Sequence, residues 1–303
     1  MWVKAAVWGQ DILPRYALSY AGGLVYGLGV KMLPLILLSF ALLGGCEDKA
    51  NPTTKSDSQN NELEKQQINL EDPEKLDRIL EGAIDDDQLQ ERGKEGEELL
   101  YAPNSQTPFT GWTKVMYRNG QVRSLIPIKE GKLQGLRTSW YENGQKYWEI
   151  NFKEGKPHGL ATTWHENGQK ESEGNFKDGE KHGLMAKWYE DGQKKQEANF
   201  VNGKNHGLWK SWHEDGQKNA EVNFKDGDRH GLMTEWYQNG QKKIEGNFVD
   251  GELHGLGTMW HENGQKRMEC TFKDGKEHGL GTEWDEEGNV ISQANFENGV
   301  EVE

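Results

Sequence analysis

The sequence predicts an all-β fold, an elongated array of antiparallel β-hairpins, and three observations carry that prediction. Trp140, Trp164, Trp188, Trp212, Trp236, Trp260 and Trp284 stand twenty-four residues apart. Phe152, Phe176, Phe200, Phe224, Phe248, Phe272 and Phe296 keep the same interval, with no insertion or deletion. Inside each interval, two short runs are separated by Asn-Gly and by Asp-Gly or close variants, the dipeptides that reverse a chain between strands. A period of this length marks units that bury their apolar side chains only against their neighbours.

In chain order, the first element is a targeting segment, residues 1–45. Lys31 precedes Leu33 to Gly45, an apolar run that is short for a bilayer, and Cys46 follows. Leu43-Gly44-Gly45-Cys46 resembles the lipobox of bacterial lipoproteins. That resemblance implies an exported protein whose Cys46 is acylated, becomes the mature N-terminus and anchors the chain to a membrane. A thioether-linked diacylglycerol plus an amide-linked chain supplies the two anchors that stable attachment requires. The alternative for the same stretch is a single N-terminal transmembrane helix from about Ala17 to Gly45, interrupted by Lys31. Residues 1–30 add nothing to a signal that is complete without them, so the true start is expected near Val30 or Met32.

The second element, residues 46–108, has seventeen acids against seven bases. So polar a stretch buries too little surface to offset chain entropy and reads as an acidic flexible tether. Leu76, Leu80 and Ile84 recur at helical spacing and allow one short helix between about Pro73 and Leu89.

The third element, residues 109–303, holds the repeats. Eight twenty-four-residue units fit, the first being atypical, with Met116 and Ile128 where later units have Trp and Phe. In the unit around Trp164, alternation groups Leu160, Thr162 and Trp164 on one strand and Ser172, Gly174 and Phe176 on the other. Trp164 and Phe176 share a face if the loop has an odd number of residues, which selects Glu166-Asn167-Gly168 with Gly168 left-handed. Leu160 then opposes Gly174, large against small, and Glu173, Asn175 and Lys177 form the wet face.

The run Gly-Leu-x-x-x-Trp-Tyr-x-x-Asn-Gly-Gln-Lys-x-x-x-x-x-Phe resembles the bacterial variant of the MORN repeat (membrane occupation and recognition nexus), over about 195 of the 303 residues. Tandem copies of the Trp-Tyr-Glu-Asn-Gly-Gln-Lys core are similar to the YwqK-type antitoxin family. The first resemblance implies successive β-hairpins in a MORN-like solenoid. The second implies neutralisation of a toxin by direct binding.

Composition narrows function further. Only 33% of residues are hydrophobic, the mean hydropathy is -0.95 and the net charge is -14. An acidic chain without a basic block is a poor match for nucleic acid, whose binding rests on Lys and Arg at phosphates. Cys46 and Cys270 lie in different regions and suggest no disulfide framework, and Cys270 reads as buried packing. The histidines at His158, His182, His206, His230, His254 and His278 recur two strands apart, about 10 Å, too far to share one metal. His165, His213 and His261 alternate with Tyr and read as packing residues. Glu149, Glu173, Glu197, Glu221, Glu245 and Glu269 occupy one environment six times over, whereas catalytic carboxylates need two different ones. No catalytic residue, cofactor or metal is expected. The reading is a non-enzymatic scaffold that binds a protein partner along its repeated surface, with a toxin as the more specific possibility and a membrane engaged through the lipid.

Overall fold

The computed structural model describes residue 70 and residues 72–303. The targeting segment, Cys46 and the tether as far as residue 69 lie outside the described residues.

The described chain opens with helix α1 (Pro73–Gly82). Asp72 caps it by accepting from the Glu74 N–H at 3.1 Å, and Pro73 sits in the first turn, where its missing N–H leaves no gap. The helix stops at Gly82, short of the expected Leu89. β1 (Ile84–Asp85), a single 3-10 turn, and the pair β2 (Gln90–Arg92) and β3 (Leu99–Tyr101) follow. The tether reading therefore fails over residues 72–108, which are folded. The physical reason is that a few apolar residues among many acids suffice when a large surface already exists to receive them: Leu76, Ile79 and Leu80 pack with Leu70, Ala83, Trp112, Leu125 and Trp140.

Eight hairpins follow in chain order, from Gly111–Met116 with Val122–Lys129 to residues 276–284 with Val290–Glu297. They belong to one 21-stranded sheet in which each strand pairs antiparallel with its sequence neighbours. The one parallel partner is β1, which lies along the first hairpin through Ile84 and Thr113. Within a hairpin the loop has three residues, as expected. His165 N–H donates to Gln169 at 2.8 Å, Gly168 N–H donates back to His165 at 2.9 Å, and Gly168 has φ +83°. Between hairpins the turn has two residues, both left-handed, as at Asp178 (φ 53°) and Gly179 (φ 96°), the type I′ geometry that suits twisted strands.

The expected facing of side chains is corrected by one residue. Lys170 pairs with Trp164, but Ser172 pairs with Thr163, so Glu171 is an extra residue in a β-bulge. Beyond it Glu173 opposes Thr162, Asn175 opposes Leu160, and Gly174 opposes Ala161. Trp164 and Phe176 consequently point to opposite faces. The same shift recurs beside every repeat tryptophan, from Trp140 to Trp284.

The Phe face is the core. Phe248, Phe272 and Phe296 are 4%, 2% and 6% exposed, packed with Val222, Met233, Ile244, Leu253, Met259, Cys270 and Ala294. Phe152, Phe176, Phe200 and Phe224 are half-buried on the same face. Large-against-small packing is present here between Met185 and Gly174 and between Met233 and Gly246, rather than at Leu160. No second layer among the described residues covers this face, so the sheet must curl about it for side chains to be so hidden.

Candidate binding surface

The Trp face is built from bonds that each unit makes to the next. Lys146, Lys170, Lys194, Lys218, Lys242 and Lys266 place their Nζ 5.4–5.7 Å from the ring centres of Trp164, Trp188, Trp212, Trp236, Trp260 and Trp284. Each of these lysines also pairs with the glutamate three residues on, Glu149 through Glu269. Thr234 and Thr258 donate to Glu245 and Glu269 at 3.3 Å. The repeated glutamates are thereby occupied as structural partners. The repeat tryptophans are half-buried, except Trp140, which is buried beneath α1.

The alternation of Tyr and His after Trp has a direct account. Tyr117, Tyr141, Tyr189 and Tyr237 donate their hydroxyls to the carbonyls of Trp140, Trp164, Trp212 and Trp260 at 2.7–2.8 Å. The Nε2 atoms of His165, His213 and His261 reach the carbonyls of Trp188, Trp236 and Trp284 at 3.0–3.2 Å. Both side chains carry one donor at the same reach. Tyr189→His is expected to leave stability within about 0.5 kcal/mol, whereas Tyr189→Phe, which orphans the carbonyl, costs about 1 kcal/mol. Urea denaturation of the two variants checks this.

The other histidine column lies beside the two-residue turns. His158, His206, His230 and His254 stand 3.4–3.7 Å from Asp178, Asp226, Asp250 and Asp274, one pair per unit. Among the described residues no three His, Cys, Asp or Glu converge on a metal position. On the core face Cys270 is 1% exposed, and burial pushes its thiol up to about 11, with the negative Glu277 carboxylate adding to the shift. Because the folded value lies above the unfolded one, this thiol's contribution to stability is full below about pH 9 and is lost as pH rises toward 11. Iodoacetamide at pH 8 should leave the Cys270 peptide unlabelled until the protein is unfolded, as read by mass spectrometry. Glu277 is itself raised by burial and by nearby Glu283. Equivalent positions in other units hold Leu253, Arg229, Asn205, Lys181 and Pro157, so this burial is local rather than a repeated site.

What the framework leaves open is a row of leucines. Leu160, Leu184, Leu208, Leu232, Leu256 and Leu280 lie on the Trp face beside Asn175 and its equivalents and are exposed. Alternation alone opposes Leu160 to Gly174, a packing pair that the bulge replaces with Leu160 beside Asn175.

The family model described as the MORN repeat variant matches residues 133–154, 157–178, 181–202, 205–226, 229–250, 253–274 and 277–298, half of the chain. The chain belongs to the MORN repeat variant family. A MORN repeat model also matches residues 173–184, and no curated protein matches the chain. MORN repeats in general bind proteins or membranes. The first hairpin lies outside the MORN matches for a visible reason. Val122 and Leu125 replace the Lys and Glu of later units, because α1 covers them, and Lys114 turns its Nζ to the Leu80 carbonyl at the helix end, 2.8 Å away.

Proposed function

We propose that the protein is a non-enzymatic scaffold that binds a partner protein through its repeats, exported from a bacterial cell and held at a membrane by lipid on Cys46. The observation that supports the binding role is the leucine row, one exposed apolar side chain at the equivalent position in each of six units. The repeated Lys and Glu pairs beside it, such as Lys170 with Glu173, are occupied with each other and with the next tryptophan, and many weak contacts in series suit binding without chemistry. The test is a set of single-unit deletions in the full chain, such as removal of residues 183–206, which joins His182 to Gly207 in register. Affinity for a partner recovered by pulldown should fall stepwise with each unit removed. Loss confined to one unit would overturn the distributed reading.

The lipid anchor is checked by mass spectrometry of the membrane fraction, which should return a peptide beginning at an acylated Cys46. An intact Met1 terminus on a membrane protein would instead favour the single transmembrane helix.

A second reading, antitoxin or immunity protein, is favoured by the similarity of the repeat core to the YwqK-type family and by a net charge of -14, which complements a basic toxin. An exported copy would intercept a toxin arriving from outside. Protection of cells by the wild type, lost with the deletion series, would support it.

A further inference from the structure

The last hairpin leaves part of a strand unpaired. Strand Val290–Glu297 pairs inward with Gly279–Trp284, but outward only Asn295, Phe296 and Glu297 have partners, in Val302, Glu301 and Val300. One unit earlier, Met268 and Glu269 pair outward with Glu283 and Thr282. Their equivalents, Ser292 and Gln293, have no outward partner among the described residues, so the edge from Val290 to Ala294 offers free backbone donors and acceptors. The residues on this edge have changed as well. The Lys that six earlier units carry is Val290, and the Glu three residues on is Gln293, which donates to Thr282 at 3.2 Å. Val290 and Ile291 are 53% and 63% exposed. Edge strands are ordinarily guarded by charge, above all by Lys, and that guard is missing from this open edge.

Charge selects what fits there. Residues 279–303 contain seven acids and no Lys or Arg, whereas residues 255–278 contain four of each. Glu286 and Glu287 are exposed in the loop at one end of the open edge, and Glu297, Glu301 and Glu303 are exposed at the other. Asp285 is held within its loop by Asn289. The preceding hairpin does not offset these acids. Lys266, Arg267 and Lys273 stand on a strand two places in from the edge, and Lys266, which lies over the Trp284 ring, is paired with Glu269. Lys276 comes beside Gly299 at the turn end and leaves that end acidic, one base to three acids. The same charges reject a second copy of the chain. Antiparallel pairing of two such edges about a twofold axis would set Glu286 and Glu287 of one copy against Glu297 and Glu301 of the other. The opposite end of the array repels this edge too, because its outer strand is β1, followed by Asp86 and Asp87, in a stretch (residues 72–108) with eleven acids against four bases. We infer that the open edge takes up an extended, basic segment of a partner protein as an added β-strand, antiparallel to Val290–Glu297. Apolar side chains of that segment meet Val290 and Ile291, and Lys or Arg at its two ends meet the two acidic groups. The site is local and goes beyond the distributed contacts of the scaffold reading.

The test uses the full chain and the fluorescent peptide Lys-Lys-Val-Thr-Val-Thr-Val-Lys-Lys, with binding followed by anisotropy. The wild type should bind it, more weakly as salt rises. Val290→Lys restores the residue that six other units carry, so circular dichroism should show an unchanged fold, and binding should weaken by about tenfold. Glu286→Lys combined with Glu287→Lys, in an exposed loop, should also weaken binding by about tenfold, and supplies a second variant if the first misfolds. A peptide with Pro in place of its central Val keeps the charge, loses a ladder donor and should not bind. A peptide with Glu in place of its four Lys should not bind either. The inference is overturned if the wild type ignores the basic peptide, if either correctly folded variant binds it as the wild type does, or if the Pro or the Glu peptide binds as well. It is also overturned if the wild type sediments as a dimer that Val290→Lys dissociates, which would make a second copy the occupant. The chain lacking residues 183–206 keeps this edge and should bind the peptide like the wild type while its affinity for a pulled-down partner falls, so the edge site and the distributed scaffold fail separately.

Discussion

Phe272→Ala should destabilise the fold by about 3–5 kcal/mol, the range for deleting a buried aromatic ring. The ring is 2% exposed and sits among Cys270, Phe296 and Ala294, with Gly255 across the hairpin, so nothing nearby can collapse into the space. Because units contact only their neighbours, the loss should appear as early unfolding of the hairpins around residues 252–297, seen by hydrogen exchange, with the N-terminal units intact. Phe152→Ala should cost clearly less, since that ring is half-exposed. Equal effects, or a single concerted transition lowered alike by both, would mean one closed core in place of a linear array. The comparison also ranks the two faces. A cation over an exposed ring and a solvent-exposed ion pair are each worth about 1 kcal/mol or less. The Phe face therefore supplies most of the stability, and the Trp face mainly sets how one unit lies on the next.

Gly131→Ala should unlatch the N-terminal cap at a cost of about 2–4 kcal/mol. Gly131 has φ +79°, and a Cβ there would lie 2.8 Å from the Leu99 Cβ and 3.0 Å from the Leu100 backbone nitrogen. Its N–H donates to Phe109 at 2.8 Å and its carbonyl accepts from Leu100 at 3.0 Å, so the backbone itself would have to move. Gly155, at the same place in the next turn, has φ +78° and open space where its Cβ would be. Gly155→Ala should thus show only the conformational strain, about 1 kcal/mol. Hydrogen exchange in Leu99–Tyr101 and α1 should rise in the first variant and not in the second. Equal behaviour would mean that residues 99–109 do not rest on the first turn.

The period, the number of hairpins and the three-residue loop were all legible, because turns and aromatic spacing are written in residue types. The facing of the side chains was not, because a bulge such as Glu171 is a backbone event with no residue type of its own. A signal was nonetheless present. Lys170 and Glu173 are three apart, as are Lys194 and Glu197, and in an unbroken strand such residues point to opposite faces. A Lys and Glu pair repeated at that spacing in six units makes sense only if an extra residue lies between them. The exposed leucines were misread through the same step. Helix α1 was legible from Leu76 and Leu80, but its burial was not, since the surface that receives it, Val122 and Leu125, is recognisable only as a departure from the later units.

The side-chain contacts that join units on the Trp face run forward, and the turn glycines donate backward, as Gly179 does to the Pro157 carbonyl at 2.9 Å. Tyr189 donates forward to the Trp212 carbonyl, Lys194 reaches forward to the Trp212 ring, and Asn167 donates forward to the Glu190 carbonyl at 2.7 Å. A directional chain of identical joints accepts a duplicated or excised unit anywhere in its interior without leaving a mismatched joint. Repeat number can therefore drift by recombination within the gene while every joint remains correct. The reach of the array then changes in fixed increments while the chemistry of each contact stays the same.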